Sequence, residues 1–151
     1  WVALALNLTW YLFIKPEKNK KQVLPYISIH RLQEMNWEEF EKLVKKIFEL
    51  KQYQVERIGG NGADGGVDLV VKRQNGWKKR EHSMVQCKRY KNNVGVGIVR
   101  EMYAVGQHKK FHKVYIYTSA DFTKGAREFA KGKNMILVSG VEMIKEIKKL
   151  R

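Results

Sequence analysis

Cysteine, proline and acidic side chains are all scarce in this chain. A single thiol, Cys87, stands among 151 residues. That excludes an intramolecular disulfide framework and a zinc site built on several thiolates, and it fits a reducing compartment. The two prolines, Pro16 and Pro25, both precede residue 35, and glycine numbers 12, so collagen-like, low-complexity and disordered classes are excluded. The longest uncharged run, Trp1 to Ile14, falls short of the about 20 residues that a membrane-spanning helix needs. Fifteen Asp and Glu stand against 30 Lys and Arg, a formal net charge of +15. Such an excess repels itself unless an anionic partner is met, which puts nucleic acid or an anionic membrane surface first. What is present is one domain's worth of chain, 44% apolar, long enough to bury a core without staples.

Three regions differ in composition. Residues 1–14 (WVALALNLTWYLFI) are apolar, with Trp10 and Tyr11 near the end and Lys15, Lys18, Lys20 and Lys21 following. This is the pattern of a truncated membrane anchor with lysines on the cytoplasmic side. A signal peptide fits less well, because no small-residue cleavage site follows, and a buried element of the domain is the plain alternative. Residues 15–34 read as a basic linker, and 35–151 carry the periodicities of a globular domain. There Asn36 and Glu39 form a capping-box pair ahead of a helix reaching about Lys51, with Trp37, Phe40, Leu43, Val44, Ile47 and Phe48 on one face. Strands are expected at Tyr53–Ile58, Val67–Lys72, His82–Tyr90, Val114–Ser119 and Met135–Val138. Helices are expected at Val96–Gln107, at Thr123–Lys131 and after Ser139, which Glu142 helps to cap. The order α-β-β-β-α-β-α-β-α implies an α/β fold, a mixed sheet flanked by helices.

The stretch from Gly60 to Lys88 is the most telling. Asp68 interrupts a Val-Leu-Val run, and strand alternation turns it away from Val67, Leu69 and Val71. A carboxylate in such a run needs a partner. One strand on, Gln86 and Lys88 share a face while Cys87 and Val85 share the other. Two neighbouring strands thus offer a carboxylate, an amide and an ammonium on one side of a sheet. An oxygen-rich site holding Mg²⁺ beside a lysine is what hydrolysis of a phosphodiester uses. Glu41 is the one glutamate of the first helix with apolar neighbours at i−4, i+3 and i+7 (Trp37, Val44, Phe48), so it borders the packed stripe and can point at the sheet. The glycines of 59–66 form a turn and not a phosphate-binding loop, since neither a Gly-Lys-Ser/Thr ending nor a helix follows.

These residues belong to a longer series: NWEEFEKLVKKIF from Asn36, the Tyr53-x-Val55 strand, GADGGVDLVV from Gly62 and VQCKRY from Val85. VGIVREMYAVG, VYIYTS, DFTKGAREFA and ILVSGVEMIKEI follow in order. Over nearly all of Met35 to Leu150 the chain resembles the Mrr-type restriction endonuclease domain of the PD-(D/E)xK nuclease superfamily, and it is also similar to archaeal Holliday-junction resolvases. The resemblance implies a restriction-endonuclease-like fold and a metal-dependent DNA endonuclease using Mg²⁺ or Mn²⁺. Asp68 matches the family's metal-binding aspartate, Lys88 its catalytic lysine, and Glu41 its first-helix glutamate. Gln86 stands where most of the superfamily has Glu or Asp, a replacement usual in Mrr-type domains. The expected ligands are Asp68, Glu41 and the carbonyls of Gln86 and Cys87, with Lys88 positioning the attacking water. Removing one negative charge at Gln86 makes Glu41 more important and metal affinity modest.

Twelve of the fifteen excess charges lie from Met35 onward, concentrated at 72–80, 88–91, 109–113 and 124–133. A groove lined by several of these clusters would hold duplex DNA with strong salt dependence. Asp64 and Trp77 are expected to serve their own loops, Cys87 the core, and Thr118 and Ser119 a phosphate contact. The alternatives are a non-catalytic DNA-binding module on the same fold and a structure-selective repair or junction nuclease. Double-stranded DNA, a homodimer and a tether at the inner face of the cell membrane, hence a cytoplasmic location, complete the expectation.

Overall fold

The computed structural model describes residues 26–57, 66–73 and 81–151. In chain order the described elements are α1 (Ile29–Glu34), α2 (Trp37–Leu50), β1 (Gln54–Arg57), β2 (Leu69–Arg73), β3 (Glu81–Lys88), α3 (Val96–His108), β4 (Lys113–Thr118), α4 (Lys124–Ala130), β5 (Met135–Val138) and α5 (Gly140–Leu150). The strands form one sheet in the order β1-β2-β3-β4-β5. β1, β2 and β3 pair antiparallel, whereas β3, β4 and β5 pair parallel. β3 is therefore the seam at which the sheet changes direction.

Strand alternation divides the core into two layers. Leu69, Val71, Val85, Tyr115 and Tyr117 face α2 and α5, meeting Phe40, Val44, Ile47, Phe48, Met143 and Ile147. Val70, Met84, Val114 and Ile116 face α3 and α4, meeting Val99, Met102 and Ala126. Phe48 anchors the first layer, with Tyr53, Tyr115 and Tyr117 packed edge-on around its ring at 5.3, 5.1 and 5.7 Å. Glu146 ties α5 to this layer by accepting the Tyr117 hydroxyl at 2.9 Å and pairing with Lys51.

Both expected capping boxes are present. Asn36 Oδ1 accepts the Glu39 N–H at 2.8 Å while Glu39 accepts the Asn36 N–H at 3.0 Å, and Ser139 with Glu142 does the same at α5. The expected α/β order holds from α2 onward. Ahead of it the structure adds α1, where a linker was expected as far as Glu34. Ser28 caps this helix, and Ile27 and Leu32 are buried in the first core layer. Six residues with two apolar side chains carry too little periodicity to announce a helix; its stability comes from burying Leu32.

A second difference concerns Asp68. Regular pairing starts at Leu69 and not at Val67, and Val67 packs in the α3 layer while Leu69 packs in the α2 layer. The alternation inferred through Asp68 fails because Gly66, at φ +80°, turns the chain just before it. The apolar segment 1–14, the linker up to residue 25, the glycine turn with Asp64, and the basic loop 74–80 with Trp77 lie outside the described residues. Among the described residues, no helix is long and apolar enough to cross a membrane.

Candidate active site

The candidate residues converge where β2 begins and β3 ends. Asp68 sits in the irregular lead-in to β2, its N–H donating to Val85 O at 3.1 Å. Its carboxylate then reaches the end of β3, where Oδ2 accepts both Gln86 Nε2 and the Cys87 N–H at 2.6 Å. Two short bonds to one oxygen fix the carboxylate firmly. The second bond is also structural: the Cys87 N–H, pointing toward β2, finds a side chain as its acceptor.

The expected single-faced constellation is in fact divided between the two faces. Gln86, 3% exposed, lies with Met84 on the α3 side: a Cβ at Gly66 would come within 2.7 Å of its Oε1 and 3.5 Å of Met102 Cε. Glu41, 4% exposed, lies on the α2 side, where it lines a small cleft with Trp37, Phe40, Asp68, Cys87 and Arg89. Asp68 bridges the two because it precedes the strand proper. Burial first, and then the nearby carboxylates of Asp68 and Glu41, push the Cys87 thiol well above its usual range, against the pull of Lys88. The thiol is thus no nucleophile, and its side chain packs on the first core layer as expected. Asp68 and Glu41 share the cleft beside Cys87, and Lys88 is the next residue along β3.

Hard oxygen donors are what Mg²⁺ and Mn²⁺ prefer, and this set consists of them: two carboxylates, the Gln86 side-chain carbonyl and the Cys87 backbone carbonyl. Gln86 Oε1 is buried with no hydrogen-bond partner, an arrangement that costs free energy until the oxygen finds a donor or a cation. Asp68, Glu41 and the Cys87 carbonyl therefore fit a divalent cation, and Gln86 Oε1, which lies on the α3 side, would join them only once its amide turned from Asp68. Among the described residues there is no group of three or more His, Cys, Asp and Glu suited to a metal, so carbonyls and water must complete any coordination shell.

The surroundings correct two further expectations. Thr118 and Ser119 are fully buried: Thr118 Oγ1 accepts the Ala120 N–H at 3.2 Å and the Ser119 hydroxyl donates to Tyr90 O at 2.8 Å. The Ser119 hydroxyl holds the loop after β3 and Thr118 Oγ1 the turn after β4, so neither is offered to a phosphate. The basic clusters do not all border the site either. Lys113 pairs with Ser83 while Thr118 pairs with Lys88, so cluster 109–113 lies at the opposite end of the sheet, about 17 Å away at 3.3 Å per residue. Lys88, Arg89, Lys91 and Lys124 are the described cations of 88–91 and α4's start that remain at the site's end.

The sequence counts Arg89 only within the basic cluster 88–91, and Trp37, expected on the packed face of the helix, is 61% exposed because it stands in the first turn, at the rim of the cleft. Arg89 Nη1 donates to Gln33 O at 3.3 Å, joining α1 to the end of β3. Alternation along β3, extended one residue, was the signal that could have put Arg89 on the Glu41 side.

A family model described as restriction endonuclease matches residues 32–147. Among curated proteins, the type IV methyl-directed restriction enzyme EcoKMrr of Escherichia coli strain K12 is 33% identical over 91 residues, 60% of this chain. The chain spans 29% of that relative's length. Among solved structures, AF1548, a protein of unknown function, superposes with a TM-score of 0.59 at 19% identity, covering 76% of this chain and 67% of the other. The DNA modification-dependent restriction endonuclease AspBHI superposes with a TM-score of 0.54 at 16% identity, covering 93% of this chain and 43% of the other. At such identities these structures bear on the fold alone.

Proposed function

Because the chain belongs to the Mrr-type restriction endonuclease family, we propose that it is a metal-dependent endonuclease hydrolysing DNA phosphodiester bonds in restriction or DNA defence. The observation that carries this reading is the placement of Asp68, held by 2.6 Å bonds to Gln86 and Cys87 beside the buried Glu41. Asp68, Glu41 and the Cys87 carbonyl would hold Mg²⁺ or Mn²⁺, and the Gln86 carbonyl would join them once its amide turned from Asp68. When bound, the cation supplies Lewis-acid stabilisation of phosphoryl oxygens and a more acidic bound water. Asp68 keeps its orientation through the two N–H donors, so little reorganisation is left for the reaction step. Lys88, at the end of β3, orients the attacking water and offsets charge developing on the phosphate. The other cations at this end of the sheet hold the strand by its phosphates.

The test is incubation of the chain with supercoiled plasmid and Mg²⁺ or Mn²⁺, beside Asp68→Ala and an EDTA control. Nicking or linearisation by the unsubstituted chain alone is expected. Cleavage by Asp68→Ala would remove the centre of the proposal. A second reading, a DNA-binding module without catalysis, is favoured by one observation: a neutral amide, Gln86, and not a second carboxylate stands beside Asp68 and donates to its oxygen. DNA binding without cleavage of methylated or unmethylated plasmid would select it. A tether at the inner membrane face through residues 1–14 completes the proposal; co-flotation with anionic vesicles that survives high salt, and is lost on deleting 1–14, is the expected result.

A further inference from the structure

Six large apolar side chains are exposed among the described residues, and one of them, Trp37, borders the candidate site. Trp37 lies in the first turn of α2 and lines the cleft with Glu41, Asp68 and Arg89, yet it is 61% exposed. Phe40, one turn on in the same cleft, is fully buried. The indole is thus not part of the core. It is also not loosely carried, because the Asn36–Glu39 capping box sets the backbone on which it stands. An exposed ring on fixed backbone therefore stands beside Asp68 and Glu41, where the proposed function puts the phosphodiester.

A phosphodiester has no apolar surface that an indole could cover. The matching surface in DNA is the face of a base, worth about tenfold or more in affinity when stacked on an aromatic ring. In an intact duplex these faces are covered by neighbouring bases, and only edges and backbone are presented. An indole beside the scissile phosphate can thus stack only on a base that has left the duplex stack, and displacing a paired base costs energy that an unpaired one does not.

We infer that Trp37 stacks on the base next to the scissile phosphate, and that the site selects DNA already unpaired there, at a gap, flap or single-stranded end, over intact duplex. Arg89, held beside the indole through Gln33, contacts the adjoining phosphate. The inference rests on the reading of the site as one for DNA phosphodiesters.

The test uses the full chain with Ca²⁺ in place of Mg²⁺ and two duplexes of one sequence. One is intact; the other carries 2-aminopurine as the unpaired base opposite a one-nucleotide gap. The unsubstituted chain is expected to bind the gapped duplex about tenfold more tightly and to quench the 2-aminopurine emission. Trp37→Ala should reduce the preference to within about twofold and abolish the quenching, while Trp37→Phe keeps part of both. An unchanged thermal melt confirms that the variants fold. Equal affinity for the two duplexes, or a preference that survives Trp37→Ala, overturns the inference and leaves the nuclease reading standing. Failure to bind either duplex overturns both.

Discussion

At Gly66 two demands meet: the backbone adopts φ +80°, and a Cβ would lie 2.7 Å from Gln86 Oε1. Gly132 adopts φ +70° with nothing within 4 Å of a Cβ. The two glycines separate backbone strain from site disruption. Gly132→Ala should cost about 1–2 kcal/mol, measured by urea denaturation, with plasmid cleavage unchanged. Gly66→Ala should cost about 1 kcal/mol more and also reduce cleavage, because the amide that steadies Asp68 must move. Equal costs and equal activities would show that the contact with Gln86 is immaterial. At Lys88, alanine should lower single-turnover cleavage by about 100-fold while DNA affinity shifts little. An equal loss in both would make Lys88 a binding group only.

Element by element, stability and site geometry are coupled through α2, which carries Trp37 and Glu41 at one end and Phe48 at the other. Phe48 is 1% exposed with three aromatic neighbours, so Phe48→Ala should cost about 3–5 kcal/mol in urea denaturation. Asn36→Ala removes an N-cap and should cost about 1 kcal/mol. The second capping box has a pH signature. Burial works against ionisation of Glu142, but the Ser139 N–H and hydroxyl and the Arg127 guanidinium outweigh it and hold the carboxyl below its usual 4.5. Asp121 is likewise lowered, by the Phe122 N–H and then by Arg127. Both groups bind protons more weakly in the folded state, so their contribution is complete above the ordinary carboxylate values and is lost as pH falls through the lower folded ones. Thermal melts from pH 6 to 2 should therefore decline more steeply below about pH 4 for the unsubstituted chain than for Arg127→Met, and identical profiles would exclude this trio as the cause.

Legibility at this scale followed the strength of local signals. Asn36–Glu39 and Ser139–Glu142 announced their helices because capping chemistry is confined to a few residues. Glu41 was traceable through its apolar neighbours at helical spacing and is indeed buried. Asp68 was found for its chemistry but placed on the wrong footing, since alternation assumes a regular strand and Gly66 ends that regularity. The division of Gln86 and Glu41 between opposite faces was not readable at all, because it depends on where α2 crosses the sheet. α1 was missed because packing, and not its own pattern, makes it a helix.

Over the whole molecule, the cations of the described residues lie at both ends of the sheet and are not gathered at the site alone. Lys88, Arg89, Lys91 and Lys124 lie among the described cations at the site's end of the sheet, and with one phosphate neutralised by each the logarithm of DNA affinity should fall with that of salt at a slope near −4, by about 0.9 per phosphate. Reversing Lys91 and Lys124 to Glu should flatten the slope by about 2, whereas Lys109→Glu with Lys110→Glu, at the far end, should leave it unchanged. Filter binding between 50 and about 300 mM salt would read both. A slope that responds equally to the two pairs would mean that DNA wraps the entire domain. The same seam strand decides when the molecule becomes complete. β3 gains β2 by local chain reversal, but β4 only after the α3 crossover has been made and packed. A chain emerging from synthesis thus carries Glu41, Asp68, Gln86 and Lys88 before anything holds the far edge of β3. Under the proposed function, a half-made copy has every part of the cutting tool and no rigid handle, which spares the cell from its own unfinished enzyme.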